Sequence, residues 1–236
     1  MAKYTSILFD LDGNLLPMDM DNFIKIYFGS LAKYLVPYGY EPERLIAAVW
    51  AGTKAMTKND GSYTNEERFW KTFAENLGDG ILKYKDIIDA FYTGDFNNAK
   101  AACWENPNAK RAVEAARKAA DKVVLATNPL FPPCAVKTRL LWIGLTPEDF
   151  DYVTTYDNSH YCKPNPKYYT ELSEKLSLTP ENTLMIGNDI GEDGAAAKAG
   201  FDVFITTDCV LGDKENLANF KNGTFEALCE YLEKSL

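Results

Sequence analysis

The stretch Thr5-Ser6-Ile7-Leu8-Phe9-Asp10-Leu11-Asp12-Gly13-Asn14 sets the reading of the whole chain. Its first half is a short apolar run without polar alternation, the pattern of a strand buried on both faces. It stops at a polar turn carrying two aspartates. Similar runs recur at 122–126, 152–155, 183–186 and 203–206. They end, in order, at Thr127-Asn128-Pro129, Tyr156-Asp157, Gly187-Asn188-Asp189 and Thr207-Asp208.

Helical patterns lie between these runs. The segment 109–120 is rich in Ala, Arg and Lys, all good helix formers. Segments 133–142 and 166–176 begin with Pro and space their apolar residues for one face. Segment 192–199 is rich in alanine and stops at Gly200, a natural C-terminal cap. Strands alternating with helices predict an α/β fold: a Rossmann-like parallel sheet with helices on both faces. From 19 to 96 the rhythm breaks. Amphipathic helical segments at 23–35, 43–53 and 65–77 occur there without a convincing buried strand. We expect a smaller all-helical domain over 18–96, inserted after the first strand of a core formed by 1–17 and 97–236.

The chain has 236 residues, 46% hydrophobic and 25% charged, enough for one core and an attached module. Its formal net charge of −9, with no run of Lys and Arg, argues against nucleic acid and anionic membranes as partners. Five cysteines, none paired as C-x-x-C, suit a reduced compartment better than a disulfide framework or zinc site. The apolar run Ile7-Leu8-Phe9 is too short for a signal-peptide core or a membrane span. These features predict a cytoplasmic location, with the oligomeric state left open.

In an open parallel sheet, ligands bind beyond the carboxyl ends of the strands. Those ends gather Asp10, Asp12, Thr127, Asn128, Asp189 and Asp193, and Lys163 follows one of them closely. Several carboxylates brought together repel one another, and a divalent cation is the natural neutraliser. Oxygen-only ligands favour Mg2+. Singly, each residue has a plainer reading. Asp10, Asp12, Asp189 and Asp193 could be turn formers or helix caps, Thr127-Asn128-Pro129 simple turn chemistry, and Lys163 a solvated lysine. Their occurrence in order, each near the end of an apolar run, favours a site.

That ordered set resembles the haloacid dehalogenase superfamily. Its first motif corresponds to Ile7-Leu8-Phe9-Asp10-Leu11-Asp12-Gly13-Asn14-Leu15-Leu16 and its second to Val124-Leu125-Ala126-Thr127-Asn128. The third is Cys162-Lys163-Pro164-Asn165-Pro166, and the fourth is Met185-Ile186-Gly187-Asn188-Asp189 with Asp193 beyond it. Asn14 departs from the usual Thr or Val; we expect it to change local hydrogen bonding without removing a catalytic group.

The resemblance implies that Asp10 is a nucleophile forming a phospho-aspartate. Asp12 would be the acid and base for the leaving group and water. Asp10, the backbone carbonyl of Asp12, and Asp189 would bind Mg2+. Thr127, Asn128 and Lys163 would hold the phosphoryl group, and Asp193 would orient metal waters or Lys163, with Glu192 a rival for that task. Family dehalogenases lack an acid at the place of Asp12, so a phosphatase or phosphomutase is implied. Mutases of the sugar-phosphate branch usually carry a His near the hinge; this chain has Asn22 there, and its only histidine, His160, reads as a loop residue.

The expected activity is hydrolysis of a small phosphorylated metabolite. A phosphomutase, or a non-catalytic binding protein on the same scaffold, is the alternative. The helical insert would be the family's cap. Trp50, Lys54, Tyr63, Arg68 and Trp70 are its candidate substrate contacts, though the tryptophans read more simply as core and Lys54 and Arg68 as solvated.

Overall fold

In the computed structural model, which describes residues 3–234, β1 (Ser6–Phe9) is buried along its whole length. It pairs in parallel with β2 (Lys122–Leu125) on one side and β4 (Thr183–Gly187) on the other. Phe9 stands level with Leu125 and with Ile186, so β1 and β2 end together and β4 runs one residue further. With β3 (Tyr152–Val153), β5 (Asp202–Thr206) and β6 (Lys221–Gly223), the order is β3-β2-β1-β4-β5-β6, every pairing parallel. The chain winds outward from β1 to β3 and then returns to start β4 on the other side of β1. The carboxyl ends of β1 and β4 therefore flank a topological switch point, where such sheets bind ligands.

Alternation along β1 divides the core. Ile7 and Phe9 join one apolar cluster with Val113 of α5 (Ala109–Ala119) and Leu228 of α8 (Phe225–Glu233). Leu8 joins the other with Tyr168 and Leu172 of α7 (Pro166–Leu176). All three β1 side chains have no exposed surface, and burying each contributes about 1.5–3 kcal/mol. Helices thus cover both faces of the sheet, as the sequence pattern predicts.

Between β1 and α5 the described residues form helices and no strand. These are α1 (Met20–Leu35), α2 (Pro42–Thr57), α3 (Asn65–Leu77), α4 (Lys85–Thr93) and 3-10 turns, the last at Asp95–Ala102. Tyr27, Phe91, Tyr92 and Phe96 pack edge to face at their centre, and the Tyr27 and Tyr92 hydroxyls meet at 2.8 Å. The outgoing and returning strands of chain run side by side. Asp19 N–H donates to Ala102 O at 2.9 Å and Trp104 N–H to Pro17 O at 3.1 Å. A second attachment lies at the start of α3, where the capping box of Thr64 and Glu67 fixes the first turn. There the fully buried Asn65 donates to Pro129 O at 3.3 Å, and its own N–H to Ser159 O at 2.8 Å.

Two local expectations change. The segment expected to be helical from 192 is a 3-10 helix over Gly194–Ala199, ending at Gly200 with φ 90°. Asp193, just before it, already has helical backbone angles (φ −75°, ψ −35°) and donates its N–H to Asp189 O at 2.8 Å, while its carboxylate receives the Asn188 and Asp189 N–H groups. The edge strand β6 was not anticipated. Its sequence, Lys-Asn-Gly, is largely exposed and carries no apolar signal. No helix among the described residues is long and apolar enough to cross a membrane.

Candidate active site

Asp10 follows the last residue of β1, and its N–H continues the β1–β4 ladder by donating to Ile186 O at 2.8 Å. The chain then turns sharply at Gly13, whose φ of +81° suits glycine. A Cβ there would stand 2.4 Å from Asn188 Nδ2, so the loops after β1 and β4 touch only because that atom is missing. Asn14 ties the same loops together. Its Nδ2 donates to Ile186 O (3.0 Å) and Asp10 O (3.3 Å), and its Oδ1 accepts from Thr206 Oγ1 (3.1 Å).

Lys163 is 2% exposed and reaches between two carboxylates. Its Nζ donates to Asp10 Oδ1 at 2.8 Å and to Asp193 Oδ1 at 2.6 Å. Burial works against the ammonium, but Asp10 and Asp193 outweigh it and hold its pKa well above the usual lysine value. Burial likewise raises the Asp10 carboxyl, opposed by Lys163. Asp193 Oδ2 accepts the N–H groups of Asn188 (2.9 Å) and Asp189 (3.0 Å), which leaves it no freedom to rotate. Its approach depends on Gly187, where a Cβ would lie 2.0 Å from that oxygen.

Asp189 Oδ1 accepts from Gly191 N–H (2.7 Å) and Glu192 N–H (2.9 Å). Asn128 bridges from the β2 end. Its Nδ2 donates to Glu192 Oε2 at 2.9 Å and its Oδ1 accepts the Lys163 N–H at 3.2 Å. Burial, with Asp193 and Asp189 nearby, pushes Glu192 up to about 7 despite Lys163. Thr127 is buried beside it; its carbonyl accepts from Thr154 Oγ1 (2.7 Å) and Tyr168 OH (3.0 Å).

All of the sequence-predicted residues except Lys163 line one cavity of about 320 Å³: Asp10, Asp12, Thr127, Asn128, Asp189 and Asp193. Lys163 lies behind the wall, bonded to two of them. Glu192 joins the wall as well. The crowding of carboxylates anticipated from the sequence is relieved in part by protein cations. Lys163 serves Asp10 and Asp193, and Arg139 of α6 (Pro133–Trp142) pairs with Asp12.

Arg139 was not singled out in the sequence. It has no exposed surface, its guanidinium lies 4.2 Å from the Phe131 ring centroid, and its Nε donates to Ala135 O at 3.3 Å. The available signal was its place on α6, three and four residues after the buried Val136 and Ala135 and hence on the same inward face. Trp50 also departs from expectation. It is 49% exposed, packs edge to face on Phe28 at 5.1 Å, and lines the cavity instead of the helical core. Trp70 is buried as expected, lines the same cavity, and donates to Tyr156 OH at 3.3 Å. Lys54, Tyr63, Arg68 and His160 are not among the lining residues.

Two cations stand against five carboxyl groups at the strand ends, so room for a further positive charge remains. No hydrogen bond to Oδ2 of Asp10 or of Asp189 occurs among the described residues, and the buried Asp12 Oδ1 and Asn188 Oδ1 are unpartnered. No three His, Cys, Asp or Glu side chains among the described residues form a metal-ligand cluster. The open carboxylate oxygens of Asp10 and Asp189 are hard donors of the kind Mg2+ takes alongside waters and a substrate phosphate.

The model of the haloacid dehalogenase-like hydrolases matches residues 4–200. The chain belongs to that family. As a hydrolase of this kind it shares its fold with solved structures of low identity. A HAD phosphatase from Thermococcus onnurineus is 19% identical, with TM-score 0.59 and 97% of each chain covered. A predicted phosphoglycolate phosphatase from Haemophilus somnus 129PT is 18% identical, with TM-score 0.56, covering 98% of this chain and 99% of that one. L-2-haloacid dehalogenase from Xanthobacter autotrophicus is 19% identical, with TM-score 0.52, covering 92% and 81%. Among curated proteins none matches. Both phosphatases and dehalogenases share the architecture, so the hydrolase's reaction must be argued from its own residues.

Proposed function

We propose that this hydrolase is a Mg2+-dependent phosphatase that passes the phosphoryl group of a small phosphomonoester through Asp10. One observation carries the reading: a second carboxyl group, Asp12, lies on the same cavity wall as Asp10. A phosphomonoester must expel an alkoxide, and an adjacent acid removes that cost. A departing halide needs no proton. A haloacid would also bring a carboxylate, and among the described residues no Lys, Arg or His lines the cavity to receive it.

Lys163 screens the nucleophile from the anionic phosphate and aims Asp10 by holding Oδ1. An Asp10 oxygen forms its bond to phosphorus as the ester P–O bond breaks, and a proton carried on Asp12 Oδ1, the oxygen that Arg139 does not hold, passes to the leaving oxygen. Asp12 then takes a proton from water as the water oxygen bonds to phosphorus and the Asp10–phosphorus bond breaks. The Thr127 hydroxyl and the Asn128 N–H would hold phosphoryl oxygens in line. Asp193 fixes Lys163 from behind. Bound Mg2+, held by Asp10, Asp189 and the Asp12 carbonyl, would neutralise charge on the phosphoryl oxygens. The helices over 18–96 would act as a cap that excludes bulk water.

The test is phosphate release from p-nitrophenyl phosphate. We expect release with Mg2+, loss with EDTA and loss in Asp10→Asn. Unchanged release in Asp10→Asn, or halide release from 2-chloropropionate with no phosphate release from any ester, contradicts the proposal.

A further inference from the structure

The cavity has two ends of different chemistry. Polar groups are concentrated at the strand ends. Beyond them the wall is built by the helical layer from Phe23, Phe28, Leu31, Trp50, Phe69 and Ile88, among others of the same kind. Among the described residues lining it, the one charged side chain away from the strand ends is Asp89 of α4. Burial raises the Asp89 carboxyl, and its Oδ1 accepts from Cys134 Sγ at 3.8 Å. Of the polar groups nearby, Tyr92 OH is engaged with Tyr27 OH and Tyr156 OH with Trp70 Nε1, which leaves, besides Asp89, the Thr53 hydroxyl as one small polar group in an otherwise apolar wall.

Such a wall selects by exclusion. A second anionic group on the substrate, a carboxylate or another phosphate, would be desolvated with no cation to meet it and with Asp89 nearby. A sugar would bury several hydroxyls against a wall that offers only Thr53 and Asp89 as partners, leaving most of them unpaired. A hydrocarbon loses nothing and gains from leaving water. We propose that the physiological substrate is the phosphate monoester of an uncharged, apolar alcohol, whose aryl or branched hydrocarbon body fills the space between α1, α2, α3 and the Phe131 loop. The inference rests on the phosphatase reading and narrows it.

The experiment is a kcat/KM series with Mg2+ present: methyl, butyl and hexyl phosphate, 2-naphthyl phosphate, phosphoglycolate, glucose 6-phosphate, and p-nitrophenyl phosphate as the general probe. Each buried methylene should raise kcat/KM by about three- to fourfold, with phosphoglycolate and glucose 6-phosphate at or below methyl phosphate. Phosphocholine is compared with 3,3-dimethylbutyl phosphate, its uncharged isostere, and the neutral ester should be the better substrate. Replacing the half-exposed Trp50 by Ala should lower the hexyl-to-methyl ratio, and Trp50→Arg should lower it while raising phosphoglycolate turnover.

p-Nitrophenyl phosphate turnover with a flat alkyl series, or with phosphoglycolate, glucose 6-phosphate or phosphocholine preferred, overturns the apolar-substrate inference and leaves the phosphatase standing. No turnover of any ester overturns the phosphatase reading and the inference with it. Binding of 2-naphthol to Asp10→Asn, followed by tryptophan fluorescence, reads the apolar end without catalysis. Absence of a change there counts against the inference in either case.

Discussion

Arg139, without exposed surface, forms an ion pair with Asp12 across the loop that follows β1. The guanidinium lies over the Phe131 ring and its Nε bonds the Ala135 carbonyl one turn back on α6, which holds it toward Asp12. One Asp12 oxygen is anchored by this cation, while Oδ1 is left without a partner in a carboxyl group that lines the cavity. The pair therefore gives Asp12 a fixed direction beside Asp10.

Arg139→Met should destabilise the fold by about 3 kcal/mol, because Asp12 is then left partly buried without its counter-charge. Urea unfolding measures this. Catalysis should respond in a way a packing defect would not. Turnover of alkyl and phenyl phosphates, whose leaving oxygens need a proton, should fall much further than that of p-nitrophenyl phosphate. Arg139→Lys should restore part of the difference. An equal fall across all leaving groups counts against the orienting role.

Gly187→Ala puts a methyl group where the Asp193 carboxylate sits. Asp193 must move, and Lys163 then loses one of the two acceptors that hold it. We expect kcat/KM to fall by about a hundredfold or more, since small displacements of positioning groups are costly. Gly13→Ala should do the same, through its clash with Asn188 and its left-handed φ. Steady-state kinetics on folded protein, checked by circular dichroism, decides the matter; near-wild-type rates contradict it.

Asn14, the departure from the family's usual Thr or Val, proves to be a staple joining β1, β4 and β5 through three hydrogen bonds. Asn14→Ala should cost about 1–3 kcal/mol of stability, because three buried hydrogen bonds are lost at roughly 0.5–1.5 kcal/mol each, although the Ile186 carbonyl keeps the Asp10 N–H. No reacting group is removed, so kcat/KM should fall by less than about tenfold. A loss as deep as that of Asp10→Asn would place Asn14 in the chemistry itself.

The difference in legibility between these residues has a physical origin. Runs such as Ile7-Leu8-Phe9 and Leu184-Met185-Ile186 announce themselves because a strand buried on both faces must be apolar throughout. Parallel pairing then forces their ends to one edge, so Asp10, Asp189 and their neighbours could be gathered from order alone. Arg139 was hidden because a charged residue on a helix is ordinarily solvated, and only its register on α6 betrays an inward direction. Trp50 was hidden for the opposite reason. A tryptophan on an amphipathic helix reads as core, and nothing in its spacing says that α1, α2 and α3 leave a cavity between them. β6 was lost because an exposed three-residue edge strand has no hydrophobic pattern to find.

Glu192 gives the fold a pH dependence. The folded chain keeps its carboxyl protonated up to about 7, whereas the unfolded chain releases the proton nearer the ordinary value of 4.5. Between those values the folded state binds more protons, so this group's contribution to stability declines as pH rises through that window. Without divalent cation, Glu192→Gln should raise the urea midpoint at pH 8, by about 2 kcal/mol in free energy, and leave it unchanged at pH 4.5. Equal effects at both pH values contradict the burial argument.

In the proposed reaction Asp10 carries the phosphoryl group between substrate and water. Enzyme mixed with Mg2+ and excess p-nitrophenyl phosphate, quenched in acid within the first turnover, can be digested and mapped by mass spectrometry. We expect one phosphoryl group on the peptide containing Asp10, absent in Asp10→Asn. Phosphate released at full rate by Asp10→Asn, or a phosphoryl group mapped to another residue, contradicts it.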